Sequence, residues 1–298
     1  MKRKVIKQAN QAYTITLPIN WVRENNIDKH PEIDIDIHEK SLTISNKENI
    51  KHTTANVDVT SFDKRAVYRI INALYAKGID EIKLTGDQCT STISQVLSNT
   101  IGYALISKED NKFIIKDLGG TSSQDLDEIF KRTFQMILSF YSSAIKEIFE
   151  ERNETMHGLK ARDSEINKFS HFLQRAINKM SYTNQIKGRI LFTYSFELEK
   201  MGDEIERLWR TDLKYKIKTS SEIKKLAQDS MKIVEKVFDS YFTKQTNNHE
   251  EIYQKRDKLR KDSMKIKTNT ITMRAIRHIV KVAEEAVDLI HLNLMMKL

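Results

Sequence analysis

The segment FELEKMGDEIERL, residues 196–208, places Glu199 and Asp203 four apart and Glu206 three further on. On an α-helix this spacing sets the three carboxylates along one edge, because residues three and four apart are surface neighbours. Carboxylates grouped in this way bind hard or borderline cations when adjacent helices add oxygen or imidazole donors. Two other segments carry such donors: Asp163, Asn167 and His171 at i, i+4 and i+8, and Glu284, Asp288 and His291 at i, i+4 and i+7. The same spacing equally describes a solvated helix edge whose acids pair with Lys200 and Arg207, so both readings stand. Gly202 inside the segment costs about 1 kcal/mol relative to Ala in a helix, which marks a close approach by another helix or a ligand.

A second kind of chemistry lies at the amino terminus. Residues 1–23 contain Lys2, Arg3, Lys4, Lys7 and Arg23 and no acid. Lys and Arg grouped on one strand contact phosphates, which gives salt-dependent affinity without reading sequence. Gln8, Asn10, Gln11 and Thr14 add amides and hydroxyls that can read base edges. A basic edge strand that only resists aggregation has the same composition.

These residues need elements to position them. Val5, Ile6, Tyr13, Ile15 and Leu17 read as short strands around a QANQAY turn, and 18–26 as a short helix opened by Pro18. EIDIDIHEKSLTIS alternates at Ile33, Ile35 and Ile37 and continues through Leu42 and Ile44, a hairpin turning at EKS. A module this small buries too little apolar surface alone, so it is expected to dimerise. Residues 55–118 read as β-α-β-α-β-β, with a helix over 62–77 stopped by Gly78 and a hairpin around 108–112. From 122 onward the pattern is helical, in six segments: 125–154, 159–182, 186–217, 220–243, 250–266 and 270–298. Two sets of three imply a tandem bundle. The fifth segment has the weakest apolar pattern.

Composition narrows the class. Both prolines, Pro18 and Pro31, lie within the first 31 of the 298 residues, which leaves long helices unbroken afterwards. A single cysteine, Cys89, excludes an internal disulfide framework and Cys-rich zinc modules. No apolar run is long enough to span a bilayer, so a cytoplasmic protein, not an integral membrane one, is expected. No G-x-x-x-x-G-K-[ST], G-x-G-x-x-G or H-E-x-x-H is present, and the chain is not read as an enzyme. The net charge of +9 suggests an anionic partner, yet residues 255–281 alone hold ten basic and two acidic residues. That segment is either a solvated face or a second anion-facing surface.

LEKMGDEIERL, residues 198–208, resembles the helical motif of the PhoU phosphate-uptake regulators, a Glu followed four residues on by Gly-Asp, repeated once per three-helix unit. The matching stretch of the second repeat is IVKVAEEAVDLI, 279–290, where Val280 replaces the Glu, Ala283 the Gly and Glu284 the Asp. DSEINKF, 163–169, matches the preceding-helix motif at Asp163 and departs from it at Asn167. The resemblance implies divalent or transition metal ions (Fe, Zn or Mg) held by Asp163, Asn167, Glu199 and Asp203, with Glu284 surviving in the second repeat. The amino terminus resembles the AbrB/SpoVT/MazE swapped-hairpin domain, through its basic strand, T-x-x-L-P strand end and W-V-x-x-N-x-I helix. In that family two chains interleave and grip DNA with basic residues matching Lys2, Arg3, Lys4, Lys7 and Arg23.

The fold expected is therefore mostly α with an α+β amino-terminal part. Its divisions are a DNA-binding and dimerisation head at 1–50, a small α/β module at 51–120, and PhoU-like repeats at 121–218 and 219–298. The resemblances imply a homodimeric transcriptional regulator of phosphate uptake that binds duplex DNA. The alternative is an adaptor that docks on a phosphate transporter's ATPase or a sensor kinase, with the head serving only to dimerise.

Overall fold

The computed structural model describes residues 2–8, 12–27, 32–38, 41–45, 52–87, 89–119, 126–151, 153, 155–179, 185–243 and 249–298. The chain divides into two compact units, Met1–His52 and Thr53–Leu298. In the first, β1 (Ile6–Lys7) pairs antiparallel with β2 (Tyr13–Thr14), and Gln8 N–H donates to the Ala12 carbonyl at 2.9 Å. Helix α1 (Ile19–Glu24) follows Pro18, whose fixed φ suits a helix entry. Strands β3 (Asp34–His38) and β4 (Ser41–Ser45) pair antiparallel in a register that sets Ile35 opposite Ile44 and Ile37 opposite Leu42. The turn at EKS, and Asn10 and Gln11 of the first turn, lie outside the described residues.

The second unit opens with a four-stranded sheet in the order β5-β6-β8-β7. Strand β5 (Thr54–Asp58) crosses through α2 (Lys64–Lys77) to the parallel β6 (Glu81–Thr85). Helix α3 (Thr90–Ser98) leads into the antiparallel hairpin of β7 (Tyr103–Glu109) and β8 (Lys112–Asp117). Alternation decides the faces: Ile82 and Leu84 are buried while Lys83 between them is exposed. The buried face meets Val67, Ile71 and Tyr75 of α2 and Ile93 and Val96 of α3 in one apolar cluster. Asp63 caps α2 by accepting from Ala66 N–H at 2.7 Å, and Gly78, at φ 94°, ends it in the left-handed conformation.

Six helices follow: α4 (Leu126–Lys146), α5 (Met156–Lys179), α6 (Gln185–Tyr215), α7 (Ser221–Phe242), α8 (His249–Lys265) and α9 (Thr270–Lys297). A single π turn, Glu147–Glu151, continues α4. Ser220 and Asn269 cap α7 and α9 through Ile223 and Thr272 N–H. Helices α4, α5 and α6 each touch the other two, and so do α7, α8 and α9; the trios meet through α6 on α9 and α4 on α7. Their shared core includes Phe134, Tyr194, Leu198, Ile205, Trp209, Phe238, Ile279 and Ile290. Helix α5 also packs on α2, so the sheet, the α2–α3 layer and the bundle stack in that order.

The protein is thus mostly helical with a small amino-terminal β part. Among the described residues, no helix is long and apolar enough to cross a membrane.

Candidate functional site

Helices α5 and α6 bring the acidic motif together. Asp163 and Asn167 stand one turn apart on α5, where Asn167 Nδ2 donates to Asp163 Oδ2 at 3.2 Å. Burial above all, and then the negative charges of Asp203, Glu206 and Glu199, push the Asp163 carboxyl up to about 7, against a smaller opposing pull from Arg207. Burial likewise raises Asp203 and Glu206, each only partly relieved by an arginine: Arg207 for Asp203 and Arg210 for Glu206. Arg207 Nη2 lies 2.6 Å from Asp203 Oδ2 and also donates to Glu204, while His171 Nε2 is 3.5 Å from Glu199 Oε1.

Gly202 explains how α5 and α6 come this close. A Cβ built there would sit 3.0 Å from Ile166 Cγ2 of α5, a residue only 1% exposed and held in the core. Gly202→Val will therefore lower stability by about 1 kcal/mol, since overpacking outweighs the gain in helix propensity. Chemical denaturation checks this; a variant as stable as the parent would show that Ile166 yields freely.

Of the metal set expected from sequence, Asp163, Asn167, Glu199 and Asp203 are gathered at α5 and α6. Glu284 lies apart on α9, where Arg260 Nε donates to it at 2.5 Å. Among the described residues, no three His, Cys, Asp or Glu side chains form a group able to hold a metal ion. Asp203, Glu199 and Glu284 are instead engaged one by one by Arg207, His171 and Arg260. This arrangement does not fit a preformed centre for iron, zinc or magnesium, and no chemistry is routed through one.

A second buried acid cluster joins the trios. His278 Nδ1 of α9 lies 2.7 Å from Glu204 Oε2 of α6. Although burial opposes its ionisation, Glu204 is held below the usual carboxylate range by His278 and Arg207. Glu285, 6% exposed, has one oxygen 3.6 Å from Lys281 Nζ, and its other, Oε2, has no hydrogen-bond partner. Burial pushes it up to about 7; Lys281 opposes this and Glu204 and Glu197 add to it.

The face of α5 toward the α/β layer carries residues that sequence reasoning missed. Arg175 is fully buried, donating to the Tyr75 and Ile79 carbonyls at 2.9 and 2.8 Å and to Asp117 at 2.6 Å. Its guanidinium lies over the Tyr75 and Tyr103 rings, 5.0 and 4.9 Å from their centroids. Lys179 completes the cluster, 2.5 Å from Asp80 and 3.3 Å from Asp117. Burial works against ionisation of both acids, yet Lys179 and Thr53 at Asp80, and Arg175 at Asp117, hold them below the ordinary range. The available signal was an arginine among the apolar residues Leu173, Ala176 and Ile177.

In the first unit, Lys2, Arg3, Lys4, Lys7, Gln8, Thr14 and Arg23 are all exposed. Lys7 pairs in register with Tyr13, and the Thr14 hydroxyl donates weakly to the Ile6 carbonyl at 3.4 Å. None of the residues of this unit whose side chains are described is buried, Trp21 and Val22 included. Ile35, Ile37 and Leu42 are 53%, 80% and 61% exposed, as are comparable fractions of Val5, Ile6 and Tyr13.

The fold defines a mostly helical protein with a basic β head and buried polar seams. No protein-family model matches this chain, no curated protein matches it, and no solved structure matches it.

Proposed function

We propose that the protein is a homodimeric, DNA-binding transcriptional regulator of phosphate uptake, with a PhoU-like helical part that transmits a signal to an AbrB-like head. The observation that carries this reading is the head itself. Its apolar residues stand in water while Lys7 lies on its first strand and Lys2, Arg3 and Lys4 just before it, all exposed. Apolar strands left uncovered over so small a unit are stabilised by burial against a second copy. An interleaved pair would double the row of cations, which suits a phosphate backbone. The paired trios, joined first helix to first and third to third, support the tandem-repeat reading.

Fluorescence anisotropy with duplex DNA over a series of salt concentrations tests it. Log affinity should fall linearly with log salt, and Lys4→Ala/Lys7→Ala should flatten the slope by up to about two phosphate contacts. Absence of binding at low salt would sink the DNA reading in favour of an adaptor for a phosphate transporter's ATPase or a sensor kinase. One feature favours that second reading: Met264, 82% exposed, borders a groove of about 840 Å³ with Met273, Arg274 and Arg277.

A further inference from the structure

A cavity of about 510 Å³ lies between the α/β layer and the bundle, lined by Lys64, Arg65, Tyr68, Arg69 and Asn72 of α2, Gln95 of α3, Asn167 and His171 of α5, and Glu199 of α6. Its two sides differ in chemistry. On α2, Lys64, Arg65 and Arg69 are exposed, and among the described residues no carboxylate pairs with any of them. Some cations elsewhere, such as Lys116, Lys179, Arg207, Lys236 and Arg260, have acids at ion-pair distance.

Behind the lining, on both α2 and α5, lie buried polar atoms that lack partners. Asn72 is 8% exposed and its Oδ1 has no hydrogen-bond partner; the same holds for Asn167 Oδ1, and His171 Nδ1 is also unpartnered. Buried polar atoms are otherwise almost always satisfied, and each one left alone costs about 1–3 kcal/mol. The wall is also held in place. Asn99 donates to the Tyr68 hydroxyl at 3.1 Å and accepts from Ser164, which ties α2, the end of α3 and α5 together. The unpartnered Asn72, Asn167 and His171 atoms each have almost no accessible surface and lie behind the lining, so what a ligand meets is a fixed wall carrying three unpaired cations and Glu199.

We propose that this cavity binds a phosphate-bearing small molecule, its phosphate held by Lys64, Arg65 and Arg69 and its hydrogen-bond donors set against Glu199. Arginine matches phosphate oxygens in bidentate fashion, and two arginines with a lysine more than neutralise a doubly charged phosphate. The Glu199 carboxylate would repel a bare anion, so it belongs with the donor-bearing part of the ligand, such as the ring nitrogens and amines of a nucleobase. The site is independent of DNA binding by the head and goes beyond the regulatory reading.

Isothermal titration calorimetry of the full chain in a phosphate-free buffer, with inorganic phosphate, AMP and GMP as separate probes, tests the site. At least one probe should bind with a dissociation constant below about 1 mM, and Arg65→Glu/Arg69→Glu should weaken it by about tenfold or more. Both positions are exposed, so the fold is retained, which circular dichroism verifies. Lys258→Glu/Lys261→Glu on α8 carries the same charge change away from the cavity and should leave affinity unchanged. A nucleotide that outbinds inorganic phosphate assigns the Glu199 end of the cavity to a base; equal affinities assign the site to the phosphate group itself. No binding by any probe, or equal weakening by the α8 control, overturns the proposal.

Discussion

Arg175→Met will destabilise residues 53–298 by about 3 kcal/mol or more, the penalty for breaking a buried ion network from one side. The substituted chain fills much of the volume, so the loss is electrostatic and not a cavity effect. Two backbone carbonyls at the end of α2, Tyr75 and Ile79, lose their bonds to the guanidinium. Asp117 loses its 2.6 Å partner, and Lys179 is left to balance two buried carboxylates. Adding Asp117→Asn to Arg175→Met should recover part of the loss, because it removes the charge left without compensation. Urea denaturation followed by Trp209, in a Trp21→Phe background that silences the head's indole, reads this unit alone. A cost below about 1 kcal/mol, or a double variant no more stable than the single, would mean that solvent reaches the cluster.

Local periodicity carried the helical part into the sequence. The six helical segments expected from spacing correspond to α4–α9 within a few residues, because one apolar face per helix is enough to specify length and orientation. Even the weakly patterned 250–266 forms a helix, His249–Lys265. It buries only Ile252 and Leu259 as apolar anchors and gains support from Glu251, which lies 2.7 Å from both Lys236 and Lys255. The β-α-β-α-β-β order was legible for the same reason, since alternation and Gly78 are local signals. Arg175 was not legible, because its partners Tyr75, Ile79, Asp80 and Asp117 lie 58–100 residues away in sequence. Lys64, Arg65 and Arg69 were not legible for the same reason, since spacing along α2 does not show that Asn167, His171 and Glu199 line the same cavity. Motif spacing drew Asp163, Asn167, Glu199 and Asp203 into one neighbourhood. Spacing along single helices says nothing about Arg207, Arg260 and His171, which engage the acids singly.

The buried acids make stability fall as pH rises, the reverse of an ordinary salt-bridged carboxylate. Asp163 and Glu285 both titrate at about 7 in the folded protein, whereas unfolded Asp and Glu titrate near ~4. Between these values the folded state holds more protons than the unfolded one, so stability declines from about pH 4 to about pH 7 and levels off above. Below the unfolded value both states are protonated and the penalty vanishes. Asp163→Asn and Glu285→Gln keep the side-chain shape and remove the charge, and each should stabilise the protein by about 2 kcal/mol at about pH 8, with little gain at about pH 3. For Asp163 the gain comes from relieving burial together with repulsion by Asp203, Glu206 and Glu199. For Glu285 it comes mainly from relieving burial of a carboxylate whose Oε2 has no partner. Denaturation of both variants across this pH range is decisive, because a gain independent of pH would point to packing and no gain at high pH would show that both carboxylates are ionised at no cost.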